Sequence, residues 1–143
     1  MMRSALQPAM RSALAMAVNR LVSAAAGPTL GDELNTSPAS WTVQAGWTNN
    51  GDGSYSGTSD SGFYRTVAGT DSGVNLEVSL TISNYTAGTV VVSLRGTTHT
   101  VGSGNGVKTF RLLAGPSGDG NFYIYGSGGL SCTISAISVK QVL

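Results

Sequence analysis

The chain has few of the residue types on which catalysis and covalent cross-links depend. Its 143 residues include one cysteine and one histidine, and only 10% of the residues are charged. A lone cysteine cannot form a disulfide within the chain, and Cys132 with His99 cannot supply the ligands of a structural zinc site. Cys132 lies between Ser131 and Thr133, in a setting typical of a strand, which predicts a small buried apolar residue.

The acids and the histidine form no recognisable catalytic pattern. Glycoside hydrolysis needs two carboxylates that face one cleft, but five of the seven acids lie beside glycine or serine in predicted turns or linkers. Glu77 is predicted on the polar face of a strand, and no Gly-x-Ser-x-Gly motif accompanies His99. The loop Asn49–Gly53 offers one carboxylate, which predicts an ordinary turn and no calcium site. The sequence therefore predicts a protein that is not an enzyme and needs no metal or cofactor.

Charge divides the chain near residue 30. Residues 1–29 carry three arginines and no acid, whereas the remainder carries five basic residues and seven acids. The remainder has no basic stripe, so nucleic-acid binding is not expected. The apolar run Ala13–Val18 is too short to span a membrane. Asn19 and Arg20 interrupt it, which argues against a signal peptide.

The first residues are predicted to form a helix that needs a partner. The segment Met2–Leu6 recurs as Met10–Leu14, and the main helix is predicted over about Ala9–Ala25, ended by Gly27 and Pro28. An isolated helix of this length is marginal in water, so we expect it to dock on another protein or to assemble the chain, with a trimer as the predicted state. The apolar stripe that would make this contact consists of Met10, Leu14, Val18, Leu21 and Val22.

From residue 31 onward the pattern is that of a β-protein. Every second residue of Val74–Ile82 is apolar, as expected for a strand with one buried face. Turns are predicted at Asn49–Gly53, Asn84–Gly88 and Gly102–Gly106. Short strands separated by regular turn signals predict a β-sandwich or jelly roll. Further strands are predicted at Trp41–Trp47, Phe63–Val67, Thr89–Arg95, Thr97–Val101, Val107–Leu113, Asn121–Tyr125 and Leu130–Val142.

Several of these segments resemble a known family. They are Ser40–Val43 with Gly46 and Trp47, the predicted strand pair Leu76–Tyr85 and Gly88–Leu94, and the closing segment Ile134–Lys140. Together they resemble jelly-roll domains similar to carbohydrate-binding modules, which occur as appendages of tailed-phage virion proteins in tail fibres, head fibres and decoration proteins. The resemblance implies a jelly-roll β-sandwich over residues 34–143, after a helical anchor and linker over residues 1–33. It also implies a structural protein on the exterior of a virion, whose partners are capsid or tail proteins.

Domains of this family are either purely structural or adhesive, and the adhesive alternative implies binding of host-surface polysaccharide. Sugar binding uses exposed aromatic rings flanked by amides and hydroxyls. Tyr123 and Tyr125 alternate with Phe122 and Ile124, so the two tyrosines share an outer face if Phe122 and Ile124 are buried. Outer-face tyrosines also fit a second interpretation, in which they cover the sheet or pack against a neighbouring subunit. Trp41 is predicted in the core, and the candidate glycan platform consists of Trp47, Tyr55, Tyr64, Tyr123 and Tyr125.

Overall fold

A computed structural model describes residues 27–143, and all regular secondary structure in this part of the chain is β. The predicted mainly β class is therefore confirmed. The predicted anchor helix, with its stripe of Met10, Leu14, Val18, Leu21 and Val22, lies outside the described residues. Within residues 27–143 the strands are β1 Leu30–Glu33, β2 Thr42–Val43, β3 Trp47–Asn49, β4 Tyr55–Gly57, β5 Gly62–Thr66, β6 Asn75–Leu94, β7 Thr97–Gly102, β8 Gly106–Leu113 and β9 Asn121–Val142.

Two long strands, β6 and β9, pair along most of their length and build two layers. In the first layer, called sheet I, the order is β7–β6–β9–β5–β2. In the second layer, called sheet II, β8 lies beside β6, while β1 and β4 lie beside β9, and β3 pairs with β4. All pairings among these strands are antiparallel. Because β6 and β9 belong to both layers, the described part of the chain forms a sandwich that is almost closed into a barrel.

The strand β6 bends where it passes from sheet II into sheet I. Its pairing with β9 shifts register within residues 83–89, as at a β-bulge, and Gly88 has a φ of 81°. The predicted turn at Asn84–Gly88 is therefore wrong, because these residues bend one continuous strand. The segments Leu76–Tyr85 and Gly88–Leu94, predicted to pair with each other, lie in different sheets. Asparagine and glycine indicate a positive φ, which a bulge requires as much as a hairpin does.

The strand β9 bends opposite this point and is held there by an acid from another loop. The Asp60 carboxylate accepts hydrogen bonds from the backbone N–H groups of Gly129 and Leu130 at 2.8 and 2.9 Å. The predicted strands Asn121–Tyr125 and Leu130–Val142 are consequently the two halves of one strand. This bend brings the first half of β9 into sheet I and leaves the second half in sheet II.

The β-domain begins earlier than predicted, because β1 lies inside the segment that was assigned to the linker. Leu30 pairs with Val142, and Glu33 pairs with Lys140. The Glu33 carboxylate also accepts the backbone N–H of Val139 at 2.8 Å and the hydroxyl of Ser138. The predicted boundary after residue 33 is therefore wrong, and the described β-structure starts at Leu30.

The predicted single strand Trp41–Trp47 is two strands, because a turn separates β2 from β3. The backbone N–H of Trp47 donates to the carbonyl oxygen of Gln44 at 3.1 Å, and Gly46 has a φ of 87°. The turn sends β2 to sheet I and β3 to sheet II. Trp41 and Trp47, at the two ends of this segment, are both buried in the same core.

The core lies between the two sheets, and the prediction that Trp41 belongs to it is confirmed. Trp41 is 3% exposed, and its ring meets Phe63 and Phe122 edge-on at centroid distances of 5.5 and 5.9 Å. Its indole N–H donates to the side-chain oxygen of Asn35, whose amide donates to the carbonyl of Ile137 at 2.8 Å. No helix that is long and apolar enough to cross a membrane occurs among residues 27–143.

Cys132 lies on the inner face of β9, as predicted, and is 4% exposed. Burial raises the pKa of its thiol to about 11, so the reactive thiolate is about one part in a thousand of the total at pH 8. We expect a disulfide reagent to leave the folded protein unlabelled at pH 8 and to label it stoichiometrically in guanidinium chloride. Absorbance of the released thiol measures both, with Cys132→Ser as the blank. Rapid labelling of the folded protein would contradict the burial of this thiol.

Candidate functional site

The outer surface of sheet I carries three tyrosines, here called the tyrosine face: Tyr64, Tyr123 and Tyr125. Tyr64 of β5 is directly opposite Tyr123 of β9, and their ring centroids are 5.1 Å apart with the planes tilted by 32°. Phe122 and Ile124, which alternate with the β9 tyrosines, are both fully buried. The prediction that Tyr123 and Tyr125 share an outer face is therefore confirmed.

Tyr125 has no side chain opposite it on β5, because its partner there is Gly62. A Cβ atom on Gly62 would lie 1.9 Å from the carbonyl oxygen of Ile124, so no other residue fits between these strands. On its other side, Tyr125 is opposite Val91 of β6. Val91 is 7% exposed although it faces outward. The surface beside Tyr125, at this end of the tyrosine face, is therefore apolar.

The other two predicted platform residues, Trp47 and Tyr55, lie inside the sandwich, and their assignment to an exposed platform is wrong. Trp47 is 6% exposed, and its indole N–H donates to the carbonyl of Ser59 at 3.1 Å. Its ring fills the space above Gly57. Neither Trp47 nor Tyr55 presents a ring face to a ligand.

Tyr55 is buried because its ring and its hydroxyl are both used by the fold. The ring stacks on Phe63 at a centroid distance of 4.3 Å. The hydroxyl donates to the carbonyl of Pro38 at 2.6 Å and accepts the backbone N–H of Trp41 at 3.1 Å. Burial raises the pKa of this phenol. Tyr55 therefore holds the loop before β2 against the core.

A polar rim borders the tyrosine face at the start of β9 and consists of Asp119, Asn121 and Thr66. The Tyr123 hydroxyl donates to the Asp119 carboxylate at 2.7 Å. The Asn121 amide donates to the same carboxylate at 2.8 Å, and the Thr66 hydroxyl donates to the Asn121 oxygen at 2.7 Å. One ring of the tyrosine face is thus tied to an acid, an amide and a hydroxyl.

The sequence pattern does not predict the rim. Asn121 is two residues from Tyr123, which places it on the same face of β9. That spacing was the only signal in the sequence. Thr66 joins the rim through the pairing of β5 with β9, which brings together residues that are 55 positions apart.

The hydrogen bonds of the rim shift the pKa values of its two titratable groups away from neutral pH. The hydrogen bond from Tyr123, followed by those from Asn121, lowers the pKa of Asp119. The same bond to Asp119 raises the pKa of the Tyr123 phenol. At neutral pH the carboxyl is therefore ionised and the phenol is protonated, so the Tyr123 hydroxyl points at Asp119.

The residues considered for catalysis or metal binding occupy separate places. His99 stacks on Phe110 at 4.3 Å, and Glu77 pairs with Arg111 at 2.8 Å on sheet II. The Asp52 carboxylate accepts the N–H and hydroxyl of Ser54 at 2.9 and 2.6 Å, which closes a turn. Among residues 27–143, no group of three or more histidines, cysteines or acids is arranged to hold a metal ion.

No protein-family model matches this chain, and no curated protein sequence matches it either. Its function is therefore inferred from the tyrosine face, its rim and the sequence pattern.

Proposed function

We propose that this protein is a non-enzymatic structural component of a tailed-phage particle. In this proposal residues 1–29 dock on a capsid or tail protein, or assemble the chain into a trimer, and the β-domain projects from the exterior of the virion as a decoration or fibre module. The observation that carries the proposal is a β-domain with a weakly charged sequence, preceded by an arginine-bearing apolar segment. The resemblance of residues 34–143 to phage appendage domains supports the assignment to a virion.

We further propose that the β-domain is a jelly roll. The support is its division into two antiparallel layers that share β6 and β9 and enclose one core. The first half of β6 lies in sheet II and its second half in sheet I, and β9 makes the opposite crossing. A domain of this kind presents the outer surfaces of both sheets, and therefore the tyrosine face, to its surroundings.

Assembly is tested by the mass of the protein in solution. We expect light scattering after size exclusion to give three chains for the full-length protein and one for a chain that begins at Gly27. The shorter chain starts before β1 because removal of Leu30 or Gly31 would delete strand pairing with β9. Circular dichroism of the shorter chain is the check that it is folded. A full-length protein that is monomeric would overturn the trimer, and docking on another virion protein would remain as the role of residues 1–29.

A second function, binding of host-surface polysaccharide, is favoured by the tyrosine face. The rings of Tyr64 and Tyr123 are neighbours on this surface, with centroids 5.1 Å apart and planes tilted by 32°. Aromatic rings stack on the C–H faces of sugars, and neighbouring polar groups bind the hydroxyls. The rim places such groups beside Tyr123. The tyrosine face therefore has the two parts that a glycan platform requires.

The polysaccharide proposal is tested by removing the rings. Each stacked ring contributes about 1 kcal/mol, so we expect Tyr64→Ala with Tyr123→Ala to weaken binding to a glycan-array hit by about 30-fold, measured by calorimetry. Tyr64→Phe keeps the ring and is the matched control, with an expected change below about threefold. Unchanged binding by the double variant would place the site elsewhere, and an array without hits would remove the proposal.

A further inference from the structure

We infer that the tyrosine face selects neutral sugars that donate a hydroxyl hydrogen bond to Asp119, and that it rejects acidic polysaccharides. This inference rests on the proposed polysaccharide binding and names the chemical class of the ligand. Its basis is the set of hydrogen-bond donors, acceptors and charges at the rim.

The rim has no free side-chain donor. The Asn121 amide uses its hydrogens on the Asp119 carboxylate at 2.8 Å and on the Tyr123 oxygen at 3.4 Å. The Tyr123 hydroxyl donates to Asp119, and the Thr66 hydroxyl donates to Asn121. A ligand that approaches these side chains therefore finds every donor already paired.

The rim does have a free acceptor. A carboxylate has about four acceptor positions, and Asp119 receives three hydrogen bonds, from the Tyr123 hydroxyl, the Asn121 amide and the Asn121 backbone N–H at 3.0 Å. Asp119 is exposed, so its remaining position is open to a ligand. A sugar hydroxyl that donates there makes a hydrogen bond to a charged acceptor, which is stronger than a bond between neutral groups.

The charges around the rim disfavour an acidic ligand. Asp119 is ionised, and the hydrogen bonds that lower its pKa keep it so. Arg95 lies at this end of the domain, but its guanidinium donates to the Thr70 carbonyl at 2.9 Å and lies 3.7 Å from the Asp71 carboxylate. Arg65 donates to the Ser37 carbonyl. The hydroxyls of Tyr64 and Tyr125 add polar groups without a positive charge. Arg95 lies beside Gly120, but Asp71 offsets its charge, so Asp119 leaves one negative charge in excess at the rim and disfavours a uronate or sialate carboxylate.

The discriminating experiment measures binding of the full-length protein to neutral and acidic probes by calorimetry. Dextran, galactan and mannan are the neutral probes, and alginate, hyaluronate and polysialic acid are the acidic ones. We expect binding to at least one neutral probe and affinity at least tenfold lower for every acidic probe. A carboxymethylated form of the neutral hit, which keeps the same backbone, should bind at least tenfold more weakly than the parent.

Two variants connect this selectivity to Asp119. We expect Asp119→Asn to weaken the neutral hit by about tenfold, since the charged acceptor is lost, and to reduce the discrimination against its carboxymethylated form. Asp52→Asn removes the same charge from the exposed turn between β3 and β4 of sheet II and should change neither affinity. Wild-type binding to an acidic probe that equals or exceeds neutral binding would overturn the selectivity and leave polysaccharide binding in place. No binding to any probe would overturn both.

Discussion

Replacing Trp41 by alanine is expected to lower the free energy of unfolding by about 3–5 kcal/mol. Trp41 is 3% exposed and lies between the rings of Phe63 and Phe122, which the fold cannot bring together to fill the space. The substitution also removes the indole N–H that pairs with the Asn35 oxygen at 3.2 Å, and Asn35 is itself buried. A loss of this size is a large part of the total stability of an ordinary domain.

Urea unfolding measures this loss, and Trp47 remains as the fluorescent reporter of the folded state. Trp41→Phe is the matched control, because it keeps an aromatic ring and loses mainly the N–H bond to Asn35. We expect it to cost about 1–3 kcal/mol. An alanine variant that unfolds within about 1 kcal/mol of the wild type would show that the core does not depend on the Trp41 ring.

The predictions that succeeded are those that depend on alternation within one strand. Tyr123 and Tyr125 were placed on an outer face because Phe122 and Ile124 separate them, and both of those residues are buried. The same local pattern predicts that Cys132 is buried, as it is. A pattern with a period of two identifies the two faces of a strand without knowledge of what pairs with it.

The predictions that failed depend on pairing, which the sequence does not show. Trp47 was assigned to an exposed platform, but its ring is buried because β3 pairs with β4 and Gly57 leaves space beneath it. Tyr55 was assigned to the same platform, but its hydroxyl reaches Pro38 in a loop 17 residues away. An aromatic residue among small polar neighbours looks exposed until the partner strand is known.

The rim illustrates the same limit for the candidate site. Thr66 and Asn121 meet only because β5 lies beside β9, and the loop before β9 then brings Asp119 to Tyr123. Sequence patterns found the rings of the site and missed the groups that would orient a sugar. The chemical selectivity that we infer therefore depends on the strand order of sheet I.

That strand order requires a glycine at position 62, and Gly62→Ala is expected to lower the free energy of unfolding by about 3 kcal/mol. Its Cβ would lie 1.9 Å from the carbonyl oxygen of Ile124 and 2.6 Å from the Cα of Tyr125. Both are backbone atoms of β9, so no side-chain rotation relieves the overlap, and β5 must move away from β9. The separation would also shift Tyr64 relative to Tyr123.

Gly31→Ala is the matched control, because Gly31 is also a strand glycine beside β9 and its Cβ would lie 3.6 Å from the nearest atoms of Gln141. That distance is ordinary van der Waals contact, so we expect a change within about 0.5 kcal/mol. In thermal unfolding, Gly62→Ala should lower the Tm by about 10 °C and Gly31→Ala by less than about 2 °C. Equal Tm values for the two variants would mean that β5 and β9 do not approach each other this closely. The tyrosine face would then lose its geometric basis, because the 5.1 Å spacing of Tyr64 and Tyr123 depends on that approach.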